Sequence, residues 1–137
     1  MPEISGVLET ALYCEDLARA KSFYAGDLEL RVMFDSTRLV AFDIGGDRAL
    51  LLFQRGMTRE DVSTPGGLIP GHDGSGSAHM AFAISADQYE PWRRHLAARG
   101  IAIRSEVVWR AGGKSLYFDD PDGHVIELAT PGLWPNY

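Results

Sequence analysis

The chain has 137 residues, 45% of them hydrophobic and 23% charged, enough for one compact domain with a real core or for two small half-domains sharing one. Its net charge of −6 argues against a nucleic-acid backbone as partner, because that binding depends on clustered Lys and Arg neutralising phosphates. No apolar run approaches the roughly 20 residues needed to span a bilayer, which leaves small molecules or proteins as partners. The stretch Met1-Pro2-Glu3-Ile4-Ser5 lacks the basic-then-apolar layout of a signal peptide, so a cytoplasmic protein is expected. Cys14 is the only cysteine, which rules out an internal disulfide and a thiolate-rich zinc site and marks it as a small buried hydrophobe.

In chain order, Leu8 to Cys14 alternates as a strand, with Glu9, Ala11 and Tyr13 on one face and Leu8, Leu12 and Cys14 on the other. Asp16 is placed to cap a helix in which Leu17, Ala20, Phe23 and Tyr24 recur at helical spacing, and Gly26 is expected to end it. Strands follow at Leu30 to Phe34, Leu39 to Ile44 and Ala49 to Phe53, with Gly45-Gly46-Asp47 turning the chain between the last two. From 55 to 77 the composition shifts to Gly, Pro, Ser and Thr without periodicity, the mark of a linker or mobile loop.

The second half repeats this order. His79 to Ser85 is strand-like, with His79, Ala81 and Ala83 on one face; Ser85 and Gln88 read as a capping box opening a helix that Gly100 stops. Ile101 to Trp109 supplies a strand, and Pro121-Asp122-Gly123 turns a hairpin whose returning strand puts Val125, Glu127 and Ala129 on one face. Glu127 thus sits among apolar neighbours, where an ionised carboxylate must be paired, hydrogen-bonded, metal-bound or able to reach water at a strand end.

Both halves read β-α-β-β-β, over about 6–54 and 78–131, and Val40-Ala41-Phe42-Asp43 with Ala49-Leu50-Leu51-Leu52-Phe53 lies on Leu116-Tyr117-Phe118-Asp119 with Val125-Ile126-Glu127-Leu128-Ala129 without a gap. An internal duplication accounts for this, and a two-fold repeat is expected to turn Glu9, His79, Glu127 and Leu51 toward one cavity. Three of the four are metal-ligand types, each with an alanine two residues on that leaves room beside it. Two carboxylates and an imidazole suit a divalent first-row ion with open positions, the expected ion being Zn, Mn, Ni or Fe. His72 is read either as a solvated loop residue or as one folded over the cavity. Trp109 and Lys114 are read either as strand-end residues in solvent or as holding substrate at the cavity mouth.

Tyr13-Cys14-Glu15-Asp16-Leu17 running to Phe23-Tyr24, His79-Met80-Ala81-Phe82, and Phe118-Asp119-Asp120-Pro121-Asp122-Gly123 to Glu127-Leu128 resemble the glyoxalase, bleomycin-resistance and ring-cleaving dioxygenase group, the vicinal oxygen chelate superfamily. The resemblance implies a single α+β domain over 1–137, two paired βαβββ modules forming a curved mixed sheet around a cavity, commonly in a homodimer. It implies Glu9, His79 and Glu127 as metal ligands, with Glu127 or Glu9 free to move a proton. Tyr13, Leu51, His72, Trp109, Lys114, Ser115 and Tyr117 are the expected substrate-side residues; Lys114, Ser115 and Tyr117 lie where fosfomycin-modifying members cluster their phosphonate-binding groups. Glu9 stands where many members have histidine, which disfavours a ring-cleaving dioxygenase. Leu51 stands where four-ligand glyoxalases have a carboxylate or amide. The expected activity is a glyoxalase-type lyase or isomerase acting on a small oxygenated compound. The alternative is an antibiotic-resistance protein, either a bleomycin-type binder or a fosfomycin-modifying transferase.

Overall fold

The computed structural model describes residues 1–137, which divide into two compact units, Met1–Ser75 and Gly76–Tyr137. In the first unit, β1 (Glu9–Cys14), β2 (Arg31–Asp35), β3 (Leu39–Asp43) and β4 (Ala49–Gln54) form one sheet in the order β1-β4-β3-β2. β1 runs parallel to β4, and the other pairs are antiparallel. Alternation along β4 buries Leu50 and Leu52 completely, on the face that also carries Leu12, Cys14, Val40 and Phe42. The apolar stripe of α1 (Leu17–Lys21) and its continuation, including Leu17, Ala20, Phe23 and Tyr24, completes that core.

Asp16 caps α1 as expected, its Oδ1 accepting from the Arg19 N–H at 3.0 Å. The end of the helix differs from expectation. Ser22–Asp27 continues α1 as a π-helical turn, with Leu28 N–H bonded to the Phe23 carbonyl, so Gly26 lies inside the helix. The stop is made by Glu29 at φ 58°, a left-handed position adopted without a glycine. β2 pairs with β3 through a bulge: Val32 faces Phe42 and Phe34 faces Ala41, leaving Met33 as the extra residue.

Residues 55–75 belong to the first unit. Val62–Thr64 (β5) and Gly67–Ile69 (β6) form a short hairpin around Pro65-Gly66, closed by the Thr64 hydroxyl donating to the Gly67 carbonyl. Three-residue strands carry too little alternation to show in a sequence. Arg59 Nε bonds Asp73 at 2.7 Å, and Thr58 and His72 exchange two hydrogen bonds, so this segment is fastened at several points.

The second unit has the same sheet order, with β7 (His79–Ala83), β8 (Ser105–Val108), β9 (Lys114–Asp119) and β10 (Val125–Ala129) arranged β7-β10-β9-β8 and only the β7–β10 pair parallel. Leu116, Phe118, Ile126 and Leu128 are buried on one face, with Tyr89 and Leu96 of α2 (Tyr89–Ala98) also buried. Ser85 makes no side-chain cap to this helix; its hydroxyl donates to Asp87 instead, and a 3₁₀ turn over Ala86–Gln88 leads in. Gly100 at φ +71° ends it in a Schellman motif, with Gly100 N–H on Ala97 and Ile101 N–H on Leu96.

Candidate metal and substrate site

In the second unit, side-chain alternation and register put His79, Ser115, Tyr117 and Glu127 on one sheet face, since Val125 pairs with His79, Glu127 with Tyr117, and Ala129 with Ser115. Glu127 is 4% exposed, so its charge must be answered locally. Ser115, fully buried, donates its hydroxyl to Glu127 Oε1 at 2.5 Å, and the Trp109 indole N–H donates to the Ser115 oxygen at 2.8 Å. The other carboxylate oxygen, Oε2, lies 3.2 Å from His79 Nε2. His79 Nδ1 is 2.9 Å from the Val125 carbonyl. A carbonyl only accepts, so Nδ1 carries the proton, and in the neutral ring Nε2 presents a lone pair to the carboxylate. Two acceptors 3.2 Å apart repel unless a proton or a cation joins them, and a solvent-facing imidazole beside a buried carboxylate, each with its other polar atom already bonded, is a donor set that suits a divalent ion.

Tyr117 flanks this pair, its ring centroid 6.2 Å from that of His79. Burial, and then the charge of Glu127, push its phenol above the ordinary value, so the hydroxyl stays a donor. Lys114, grouped with Ser115 and Tyr117 in the sequence reading, alternates to the opposite face, and its ammonium lies over the Tyr89 ring at 5.3 Å.

In the first unit, Glu9 opens β1 as an exposed residue in register with Ala49. Leu51 is half-buried between Ala11 and Ala41 on the neighbouring strands, on the face that β1 gives to Glu9, Ala11 and Tyr13. Tyr13 stacks on Phe53 with centroids 5.6 Å apart, and its hydroxyl meets His72 Nδ1 at 2.6 Å. His72 in turn packs edge-on against Phe53 at 4.7 Å. His72 is therefore half-buried and bonded to Tyr13, which departs from the expectation of a solvated loop histidine. Burial, with the charge of Asp73 next, raises the Tyr13 phenol above its ordinary value.

The family model for the glyoxalase/bleomycin resistance protein/dioxygenase superfamily matches residues 6–128. The chain belongs to that superfamily. Among curated relatives of this superfamily member, the metallothiol transferase FosB of Staphylococcus saprophyticus is 28% identical over 121 residues, covering 86% of this chain and 72% of the relative. Among solved structures, a lactoylglutathione lyase from Agrobacterium tumefaciens superposes with a TM-score of 0.87 at 30% identity, covering 97% of this chain and 98% of that one. The fosfomycin resistance protein FosX from Mesorhizobium loti shares the fold, with a TM-score of 0.64 at 23% identity over 93% of both chains.

The superfamily turn Asp120-Pro121-Asp122-Gly123-His124 holds a further cluster of ligand-type atoms, those of Asp120, Asp122 and His124, all within 4.8 Å of one another. Both Asp120 oxygens are committed to the turn: Oδ1 accepts from the Asp122 and His124 backbone N–H groups, and Oδ2 meets His124 Nδ1 at 2.7 Å. These bonds give His124 a structural part in holding the turn. Sequence reasoning missed two partners of the His79–Glu127 pair. The Val125 carbonyl leaves no mark in side-chain identity, and the Trp109–Ser115 bond closes across a turn whose shape depends on packing elsewhere.

Proposed function

We propose that the chain is a metal-dependent enzyme that modifies a small oxygenated compound, with group transfer of the fosfomycin-modifying kind as its first reading. The observation that carries it is the approach of His79 Nε2 and Glu127 Oε2 to 3.2 Å, with Nδ1 already committed to Val125. In this reading Glu9 would be the third ligand, and an ion held by the three residues would supply Lewis-acid chemistry to a substrate oxygen. The chain's own groups do the rest. Val125 keeps the imidazole in one tautomer, Ser115 holds one carboxylate oxygen, and the Tyr117 hydroxyl offers a donor to an anionic substrate oxygen. Tyr13, His72 and Leu51 supply an aromatic and apolar wall for the substrate, with no part assigned to Lys114. Similarity to a metallothiol transferase over most of both chains supports transfer.

A glyoxalase-type lyase is the second reading, favoured by the likeness to the lactoylglutathione lyase. Protein purified without chelator is expected to carry a divalent metal and to consume fosfomycin in the presence of a low-molecular-weight thiol. Glu127→Ala and His79→Ala are expected to lose both metal and activity. Activity on lactoylglutathione chemistry without fosfomycin turnover would select the second reading, and parental metal occupancy in Glu127→Ala would remove both. We also propose a homodimer, because each four-strand sheet leaves two edge strands to be covered. Sedimentation velocity at micromolar concentration should show it, and a lone monomer peak would refute it.

A further inference from the structure

We propose that Trp109 is a positioning residue for Glu127, acting through the Ser115 hydroxyl to decide which carboxylate oxygen is left to face His79; this rests on the reading of His79 and Glu127 as metal ligands. An indole N–H only donates, so its bond at 2.8 Å occupies a lone pair of the Ser115 oxygen and offers the serine proton no acceptor. Of the acceptors left to the serine proton, the Tyr117 oxygen and Glu127 Oε1, the carboxylate takes it, at a distance of 2.5 Å typical of a charge-assisted bond. One oxygen is then saturated and held, and the other is presented 3.2 Å from the Nε2 lone pair. With Ser115 fully buried and Glu127 4% exposed, no bulk water stands ready to replace either bond.

The backbone that carries the indole is itself held. The Trp109 backbone N–H donates to the Gly113 carbonyl at 2.8 Å, Gly112 N–H returns to the Trp109 carbonyl at 2.9 Å, and Gly113 N–H donates to the Gly132 carbonyl at 3.2 Å. A Cβ on Gly113 would stand 2.6 Å from the Gly132 carbonyl carbon, so the close approach that fixes this turn requires glycine there. Trp109 and Ser115 therefore belong behind the ligand, and their polar atoms are consumed before any substrate arrives. The chain Trp109–Ser115–Glu127–His79 is a carboxylate-orienting relay built on the β8–β9 turn.

The test is titration of metal-free protein with Co²⁺, followed by calorimetry and by the ligand-field absorption of the bound ion. Trp109→Phe keeps the ring and removes the N–H; it is expected to weaken Co²⁺ binding about tenfold and to shift the absorption bands. Ser115→Ala should do the same, Ser115→Thr should restore the parental spectrum, and the double variant Trp109→Phe/Ser115→Ala should bind no more weakly than Ser115→Ala alone, because the indole acts through the hydroxyl. Trp109→benzothienylalanine, which exchanges the N–H for sulfur within the same ring shape, gives the same reading if the phenylalanine variant does not fold. Parental affinity and spectrum in either Trp109 variant, or independent losses that multiply in the double variant, would overturn the inference alone. A parent protein that binds no Co²⁺ would overturn the metal reading together with it.

Discussion

Gly74 shows how one atom fixes Tyr13, a residue proposed to line the substrate site. A Cβ added there would lie 2.5 Å from Tyr13 Cδ2 and 3.2 Å from Cγ, near the root of the ring, which is stacked on Phe53 and cannot swing away cheaply. Gly74→Ala is therefore expected to destabilise the protein by about 1–3 kcal/mol, read as a lower urea midpoint at unchanged slope. Tyr13→Phe keeps the stacking and loses only the bond to His72, so its cost should be about 1 kcal/mol. An equal loss in the two variants would mean that the glycine contact is not tight. The residues of this site were unevenly legible. Alternation along the last strand put Glu127 on one face with Val125 and Ala129, and the internal repeat brought His79 beside it; alternation along β9 sets Lys114 opposite Ser115 and Tyr117, although the sequence motif groups the three. His72 was not legible, because its place depends on a ring contact across 19 residues of non-periodic chain.

At the scale of elements, α2 shows which of its interactions matter. Leu96 of α2 is fully buried, whereas the Arg93–Glu106 pair has side chains 52% and 38% exposed. Leu96→Ala should cost about 2–5 kcal/mol. Removing the surface pair by Arg93→Ala should cost less than about 1 kcal/mol, and a reversed order in chemical denaturation would contradict this packing. Strands of five or six residues with clean alternation, and helices with an apolar stripe, could be read directly from the sequence. The π-helical turn could not, since it depends on a shifted hydrogen bond from Leu28 to Phe23 and on Glu29 accepting a left-handed conformation that glycine would ordinarily take. The β5–β6 hairpin was hidden by its length, and the helix entry at Ser85 by a hydroxyl that prefers Asp87 to the backbone.

For the whole molecule, pH dependence follows from where charge has been refused. Burial raises the phenols of Tyr13, Tyr89, Tyr117 and Tyr137 above 10.0. A folded-state value above the unfolded one favours the protonated form, so this stabilisation is complete below pH 10 and is lost as pH rises through the folded values. Melting temperature should hold below pH 10 and fall as pH rises above it, in step with phenolate absorbance, and a flat profile would contradict the partial desolvation of these hydroxyls. On the acid side, Asp43, Asp73 and Asp87 are held below 3.8 by hydrogen bonds from Arg31, Arg59 and Ser85 respectively, so their contribution is present above 3.8 and fades as pH falls through the folded values. The bulge at Met33 bears on how this chain behaves among many copies of itself. β2 lies at the rim of its sheet with Met33 and Phe34 half in water, an invitation to cross-β stacking in a crowded solution. By kinking the rim and throwing one residue out of step, the bulge spoils the straight row of amides that a fibril would need, and so keeps a greasy border from becoming a template.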